Sequence, residues 1–310
     1  MTKKKRRGPP RDQAARPAKA PSDTKAAPPE RRGFAGFLFR PPGPSIFPPV
    51  FASLGQGLLA VATTPVLLLA PFVLVLIMWL VLLAFGLEAS PGRLVNAISL
   101  APISVQFDAG TGVALHGTTW AFLVFVNGAM LVRSVIVAAL AGVAVDRFEG
   151  GTASLWAVVR GLGAFPTVLA MHIASFGLIT LGNIVFFGLL GALGNYLAIF
   201  LLLALIAVFS FVPIVAVREA RSVGDAFRRA YRAARSPSGH LPLVTLYFFL
   251  LPIVGGTFSP GGGELTANPS FALWAYILVG TYLQVAFMAT FAYRWMVAEP
   301  EVPEVPARRR

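Results

Sequence analysis

The chain has 310 residues, of which 56% are hydrophobic and only 13% are charged. This composition lies outside the usual range of soluble domains and indicates a membrane protein. There is no cysteine, which excludes disulfides, thiolate metal sites and palmitoyl anchors.

The first 45 residues are strongly basic, with twelve Lys or Arg against Asp12, Asp23 and Glu30. The segment is rich in Pro and Ala and poor in bulky apolar side chains, so it cannot bury enough surface to offset the entropy of ordering. We predict a disordered cytoplasmic tail over 1–45 that is attracted to anionic lipid. It lacks interleaved aromatic residues and a folded reading module, so nucleic acid is not an expected partner.

Six apolar runs are long enough to cross a membrane, which takes about 20 helical residues. They lie near 65–87, 119–145, 166–189, 195–217, 241–258 and 271–296. The first belongs to a longer apolar run over 54–87, which Pro65 divides because proline interrupts helical hydrogen bonding. The chain is therefore predicted to be all-α, with a six-span membrane domain over 46–298 and a short cytoplasmic tail over 299–310.

Basic residues between the predicted spans are concentrated on one side of the membrane. That side carries the tail, Arg147, Arg160, Arg218, Arg221, Arg228, Arg229, Arg232, Arg235, Arg294 and the terminal "RRR", whereas the other side carries only Arg93. Loops rich in Lys and Arg stay in the cytoplasm. We therefore predict a multi-pass protein of the cell membrane with both termini cytoplasmic. The outer connections are 88–118, a tight turn at "GALGN" and "SPGGGELTANPS".

Three segments on the cytoplasmic side share one spacing. They are "SLGQGLLAVATTP" (53–65), "SLWAVVRGLGAFP" (154–166) and "DAFRRAYRAARSP" (225–237). Each begins with a residue that can cap a helix, reaches a proline twelve positions later, and precedes an odd-numbered span. We therefore predict three repeats, each an amphipathic cytoplasmic helix followed by a hairpin of two spans.

The third of these segments is amphipathic. Val223, Ala226, Phe227, Ala230, Tyr231 and Ala234 recur at helical spacing, and Arg228, Arg229, Arg232 and Arg235 occupy the opposite face. The pattern is typical of a helix in the membrane interface, with its apolar stripe toward the acyl chains and its guanidinium groups at the phosphates. We expect these four arginines to contact anionic lipid head groups. A docking site for a protein partner is the alternative.

The stretch "VPIVAVREARSVGDAFRRAYRAAR" resembles the cytoplasmic connection of a group of six-span bacterial membrane proteins. That group is related to the membrane domain found beside some glycerophosphodiester phosphodiesterases. There, a proline-containing apolar run and an acidic residue precede an amphipathic helix, and the matching positions are Pro213, Glu219 and the helix from Asp225. The resemblance would cover about 46–298. It implies a helical membrane domain and no catalytic chemistry.

Small residues predict where helices pack closely. Ser134, Ala138 and Gly142 form a ridge on the second span, and Gly188, Gly191 and Gly194 lie at the outer turn after the third.

Polar residues within the spans are the candidates for a site, because ionisable groups at membrane depth are costly and mark function. They are Arg133, His172, Asn127, Asn183 and Gln284. Since the predicted spans contain no acidic residue, Arg133 either binds an anionic substrate or lipid head group, or snorkels toward the cytoplasmic phosphates. A proton relay at His172 would need an acidic neighbour, which favours a packing role. Gln284 lies near the middle of the sixth span.

Catalytic signatures are missing from the sequence: there is no HExxH motif, P-loop, GxSxG motif, carboxylate pair or metal-ligand cluster, and no cofactor is expected. We therefore favour a non-enzymatic role, either lipid-interacting, in assembly, or as a partner subunit, with a protein partner or a second copy of the chain. A transporter or channel for a small anionic or lipid-like substrate, with Arg133 and Gln284 in its path, is the first alternative. A membrane enzyme acting on lipid is the second.

Overall fold

The computed structural model of the chain describes residues 47–84, 95, 119–219, 222–236, 240–258 and 271–298. The regular secondary structure in these ranges is entirely helical. The predicted tails over 1–45 and 299–310, and Arg93 in the predicted outer loop, lie outside the described residues.

Ten helices follow one another in the described ranges. They are α1 (Val50–Thr63), α2 (Pro65–Ala84), α3 (Thr119–Phe148), α4 (Leu155–Leu162), α5 (Phe165–Leu190), α6 (Ala192–Phe209), α7 (Val212–Arg218), α8 (Val223–Arg235), α9 (His240–Phe258) and α10 (Phe271–Ala298). Each predicted apolar run coincides with a helix, or with α6 and α7 together. The three predicted cytoplasmic segments coincide with α1, α4 and α8.

Several of these helices are long and apolar enough to cross a membrane. Phe165–Leu190, Ile199–Arg218 and Phe271–Ala298 meet the requirement singly, and α1 with α2 meets it as a pair bent by 76°. The bend lies at the predicted break before Pro65. The described part of the chain thus has three such helices, or four if the bent pair is one span.

Large apolar side chains lie on the outside of the helix bundle. Leu69 and Val73 of α2, Ile184 and Leu189 of α5 and Phe200 of α6 are all exposed. Soluble proteins rarely expose apolar surface of this extent, whereas a surface in contact with lipid tails is apolar.

The centre of the bundle is formed by α3, α7 and α10, which contact one another. The other long helices pack around them: α2 against α3 and α10, α5 against α3 and α6, and α9 against α6 and α10. Burial follows this arrangement, since Val137, Ala144, Ile214 and Phe291 are fully buried.

The short helices α1, α4 and α8 lie at one end of the bundle, called the short-helix end below. α1 packs on α10, α4 on α3, and α8 on α6 and α7. Small buried residues recur there with successive spacings of four and three. They are Ser53, Gly57 and Ala60 in α1; Ala157 and Gly161 in α4 with Ala164 just after it; and Ala226, Ala230 and Ala233 in α8. Small side chains at such spacings allow two helix backbones to approach closely.

Glycines mark the closest of these approaches. A Cβ atom added at Gly57 would lie 2.6 Å from the carbonyl oxygen of Ala286 in α10. One added at Gly142 of α3 would lie 2.6 Å from the Cα atom of Gly161 in α4. The predicted close packing of the ridge that contains Gly142 is therefore confirmed at that residue.

The predicted helix starts are partly wrong. Ser53 lies inside α1, which begins at Val50, and its hydroxyl donates to the carbonyl of Pro49 at 2.9 Å. Ser154 precedes α4 but makes no side-chain capping bond. Ser222 caps α8 in place of Asp225, because its hydroxyl oxygen accepts the Asp225 N–H at 3.2 Å.

The tight turn predicted at "GALGN" is confirmed. α5 ends at Leu190 and α6 begins at Ala192, and Gly191 between them has φ of 53°. Glycine adopts this left-handed conformation without the penalty that a side chain would bring.

Candidate functional site

Arg133, the most strongly predicted site residue, lies on α3 and is only 4% exposed. Its side chain is therefore inside the helix bundle. The next residue, Ser134, donates a hydrogen bond to the Met130 carbonyl at 2.7 Å and lies 2.8 Å from Nδ1 of His172 on α5.

Which nitrogen of His172 carries the proton depends on the Ser134 hydroxyl, which has a single proton. In the arrangement where that proton is donated to the Met130 carbonyl, Nδ1 of His172 donates to Ser134 and Nε2 carries the lone pair. His172 is 1% exposed, and Nε2 is buried with no hydrogen-bond partner in the described part of the chain. The contact with Ser134 joins His172 to α3, and Nε2 is a second polar nitrogen inside the bundle.

Gln284 lies on α10 and is fully buried. One turn earlier, the buried Thr281 hydroxyl has no partner among the described residues. The structure thus brings His172 to the part of α3 that carries Arg133, and it places Gln284 on a third helix that also packs against α3. The side chains of Asn127 and Asn183 lie outside the described part.

Glu149 forms an ionic junction at the short-helix end. It follows α3 directly and pairs with Arg160 of α4 and Arg218 of α7; one of the bonds, from Arg160 Nη2, is 3.1 Å long. The Arg160 hydrogen bond and the charges of both arginines outweigh partial burial and hold the pKa of Glu149 below its ordinary value of 4.5. One carboxylate therefore ties three helices together.

Glu219 forms a second junction of the same kind. It follows α7, pairs with Arg229 of α8, and accepts a 2.8 Å hydrogen bond from Nε1 of Trp295 on α10. Because Arg218 and Glu219 are neighbours in the chain, the two junctions form one continuous network across the short-helix end.

Arg294 holds the start of α1 against α10. It is fully buried, and its Nη1 donates to the Pro48 carbonyl and to the Ser53 hydroxyl, each at 3.0 Å. Its guanidinium carbon also lies 5.4 Å from the centre of the Phe47 ring. The sequence identifies Arg294 only as a cytoplasmic charge, since nothing in its neighbourhood along the chain indicates a partner more than two hundred positions away.

The four arginines of α8 differ in exposure. Arg229 pairs with Glu219, and its side chain is 32% exposed. Arg228 and Arg235 are exposed and Arg232 is partly exposed on the far side of the helix. That all four contact lipid head groups stays a prediction, and the structure adds an ion pair with Glu219 for Arg229.

No group of three or more His, Asp or Glu residues in the described ranges could hold a metal ion. Comparison with protein-family models, with curated proteins and with solved structures finds no match. Function is therefore inferred from the arrangement of the side chains themselves.

Proposed function

We propose that the chain is a six-span protein of the cell membrane with a lipid-interacting, structural role and not a catalytic one. The spans are α2, α3, α5, α6 continued by α7, α9 and α10. The three short helices and both termini lie on the cytoplasmic side, as the distribution of Lys and Arg favours.

The six spans form three repeats, namely α1 to α3, α4 to α7, and α8 to α10. Contacts between the units support this division. α4 packs on α3, the last span of the first unit, and α8 packs on α6 and α7, the last span of the second. α1 packs on α10, the last span of the third unit. The ion pairs Glu149–Arg160 and Glu219–Arg229 occupy similar places after α3 and α7. Glu219 is also the acidic position in the resemblance to six-span bacterial proteins, which we retain as part of the proposal.

The observation that carries the proposal is the exposure of large apolar side chains on the short helices. Phe51 of α1 is 80% exposed, and Leu155 and Trp156 of α4 are 79% and 73% exposed. Small residues fill the opposite, buried faces. A helix that packs on protein through small side chains and presents aromatic and aliphatic ones outward is suited to the boundary between head groups and acyl chains.

The test uses spin labels, which are easily placed because the chain has no cysteine. Phe51→Cys and Trp156→Cys, labelled in liposomes, should be relaxed more by membrane-dissolved oxygen than by a water-soluble nickel chelate. Arg228→Cys, at an exposed charged position, is the matched control and should show the opposite preference. If the labels at 51 and 156 are relaxed more by the nickel chelate, the short helices do not contact lipid and the proposal fails.

Transport of a small anion is a second candidate, favoured by one observation: a buried arginine and a buried histidine nitrogen lie on adjoining helices within the bundle. Flux of chloride or acetate from proteoliposomes would test it. If the protein has only a structural role, liposomes that contain wild type or Arg133→Gln should release the anion no faster than empty liposomes. Flux that is present in wild type and lost in Arg133→Gln would establish transport instead.

A further inference from the structure

We infer that the bend between α1 and α2 binds one phospholipid, whose phosphate contacts Arg147 of α3 and one of whose acyl chains lies in an apolar groove along α2. This inference rests on the proposed lipid-interacting function. It adds to that function the place where a single lipid is held and the two contacts that hold it.

The groove lies on the outer face of the first half of α2. It has a volume of about 510 Å³, and in the described part of the chain its lining consists of six apolar residues, Pro65, Val66, Leu69, Ala70, Val73 and Leu74. Pockets of this size hold small ligands. From the first to the last of these residues the helix rises about 14 Å, which is close to one leaflet of a hydrocarbon core about 30 Å thick. The groove thus matches an acyl chain in both its chemistry and its length.

Pro71 favours a concave surface at this place. The ring of a proline inside a helix would meet the carbonyl four residues earlier, so the helix bends away from the ring. Pro71 is buried within α2. At about 100° per residue, the groove residues are centred roughly 150° from it around the helix. The groove therefore lies on the side toward which a proline bends its helix.

Arg147 brings a positive charge to the end of the groove that is nearest the bend. It is in the last turn of α3, is partly exposed, and its Nη2 donates to the Thr63 hydroxyl oxygen at 3.4 Å. The Thr63 hydroxyl donates its own proton to the Leu59 carbonyl at 2.8 Å, so its oxygen can accept from Arg147. Thr63 is two residues before Pro65, and the two Cα atoms are therefore at most about 7.6 Å apart. A phosphate beside Thr63 is within reach of both the arginine and the groove.

The surface favours a lipid over a helix of a second copy or of another protein. Membrane helices pack through small residues that let their backbones approach closely, whereas Ala70 alone is small among the described lining residues, and Val66, Leu69 and Val73 are exposed. The planar guanidinium of Arg147 matches phosphate oxygens in geometry as well as in sign. A phospholipid supplies both a phosphate for the arginine and an acyl chain for the groove.

The experiment uses the purified full chain in a maltoside detergent, which has no phosphate, and phosphatidylglycerol with a photoreactive group on one acyl chain. After irradiation, mass spectrometry of peptides compares labelling of 65–74 in α2 with labelling of the exposed face of α5. Wild type should be labelled preferentially in α2. Diacylglycerol with the same photoreactive chain should show a preference about fivefold smaller, and so should Arg147→Gln with phosphatidylglycerol. The effect of Arg147→Gln should shrink at high salt.

Two further variants separate the groove from general attraction to lipid. Ala70→Phe fills the groove while keeping its surface apolar, and it should also lower the labelling of α2. Arg228→Gln removes an exposed arginine from α8 and is the matched control for Arg147→Gln, with the labelling of α2 unchanged. All three variants should melt near the temperature of wild type. The comparison with diacylglycerol uses wild type alone and decides the question if a variant misfolds.

Equal labelling of α2 and α5 in wild type overturns the inference, and so does a preference for α2 that diacylglycerol or Arg147→Gln retains. Disulfide-linked dimers of Leu69→Cys that exclude the lipid would show that a second copy covers the groove, and they would overturn it too. If the spin labels at 51 and 156 are lipid-exposed while the labelling of α2 does not depend on phosphate, this inference fails and the proposed function stands.

Discussion

Glu219 accepts a 2.8 Å hydrogen bond from the indole Nε1 of Trp295, and so the connection after α7 is joined to α10. The same carboxylate pairs with Arg229 of α8, and its side chain is only 12% exposed. One partly buried acidic residue thus connects three helices at the short-helix end.

Glu219→Ala should therefore destabilise the protein by about 1–3 kcal/mol, because the buried Trp295 N–H and Arg229 both lose their acceptor. The Arg229 side chain is 32% exposed, so the ion pair itself contributes only a small part of this. Glu219→Gln keeps an acceptor for Trp295 and should melt between the alanine variant and wild type. Melting curves in detergent give the melting temperatures of the three proteins. A Glu219→Ala variant that melts at the same temperature as wild type contradicts the prediction.

Acid should weaken the Glu149 junction. The folded-state pKa of Glu149 is held below its ordinary value by Arg160 and Arg218, so the carboxylate binds protons more readily in the unfolded chain. Its stabilising contribution is therefore complete above about pH 4.5 and is lost as the pH falls through the folded-state pKa. At pH 7 the melting temperature of wild type should be higher than that of Glu149→Gln. The difference between the two melting temperatures should shrink as the pH is lowered below 4.5. A difference in melting temperature that does not change with pH would show that the ion pairs of Glu149 do not contribute to stability.

Two helical glycines should respond in opposite ways to the same substitution. Gly142→Ala forces a methyl group toward the backbone of Gly161, 2.6 Å from its Cα atom, and overpacking of this kind destabilises by about 1–3 kcal/mol. Gly177 of α5 has nothing within 4 Å of an added Cβ, so Gly177→Ala should be neutral or stabilise by up to about 1 kcal/mol. Equal melting of the two variants would argue against the close contact of α3 with α4.

Ser134 and His172 should be energetically coupled. Their 2.8 Å contact joins α3 to α5, and hydrogen bonds between membrane helices contribute about 0.6 kcal/mol on average. In a double-mutant cycle with Ser134→Ala and His172→Leu, measured by unfolding in mixed micelles, the two effects should be less than additive by about this amount. Strict additivity would show that the contact does not stabilise the bundle.

Hydropathy located the helices well because a membrane helix must be continuously apolar over its length. The run predicted at 166–189 is helix α5 over Phe165–Leu190, and the break before Pro65 is the bend between α1 and α2. The sequence predicts the repeat from the spacing of its prolines. The feature that the three short helices share in the structure is instead a set of small buried residues, such as Ala157 and Gly161 in α4.

Hydropathy could not distinguish the face of a short helix that packs on protein from the face that is exposed, because a lipid tail and a protein core are equally apolar environments. In α8 the predicted apolar stripe divides in the structure: Ala226 and Ala230 are buried against protein, while Tyr231 is exposed. The ion pairs were missed for a related reason. Glu219 and Arg229 are ten positions apart and lie on different elements, so no helical spacing relates them.

Labelling of single cysteines in intact cells tests the six-span topology most directly, since the chain has no cysteine of its own. Cysteines at 110 and 265, in the predicted outer connections, should react with a thiol reagent that cannot cross the membrane. A cysteine in place of Asp225, on the short-helix side, should react only after the cells are opened. Labelling at 225 in intact cells, or protection at 110 and 265, would contradict the account.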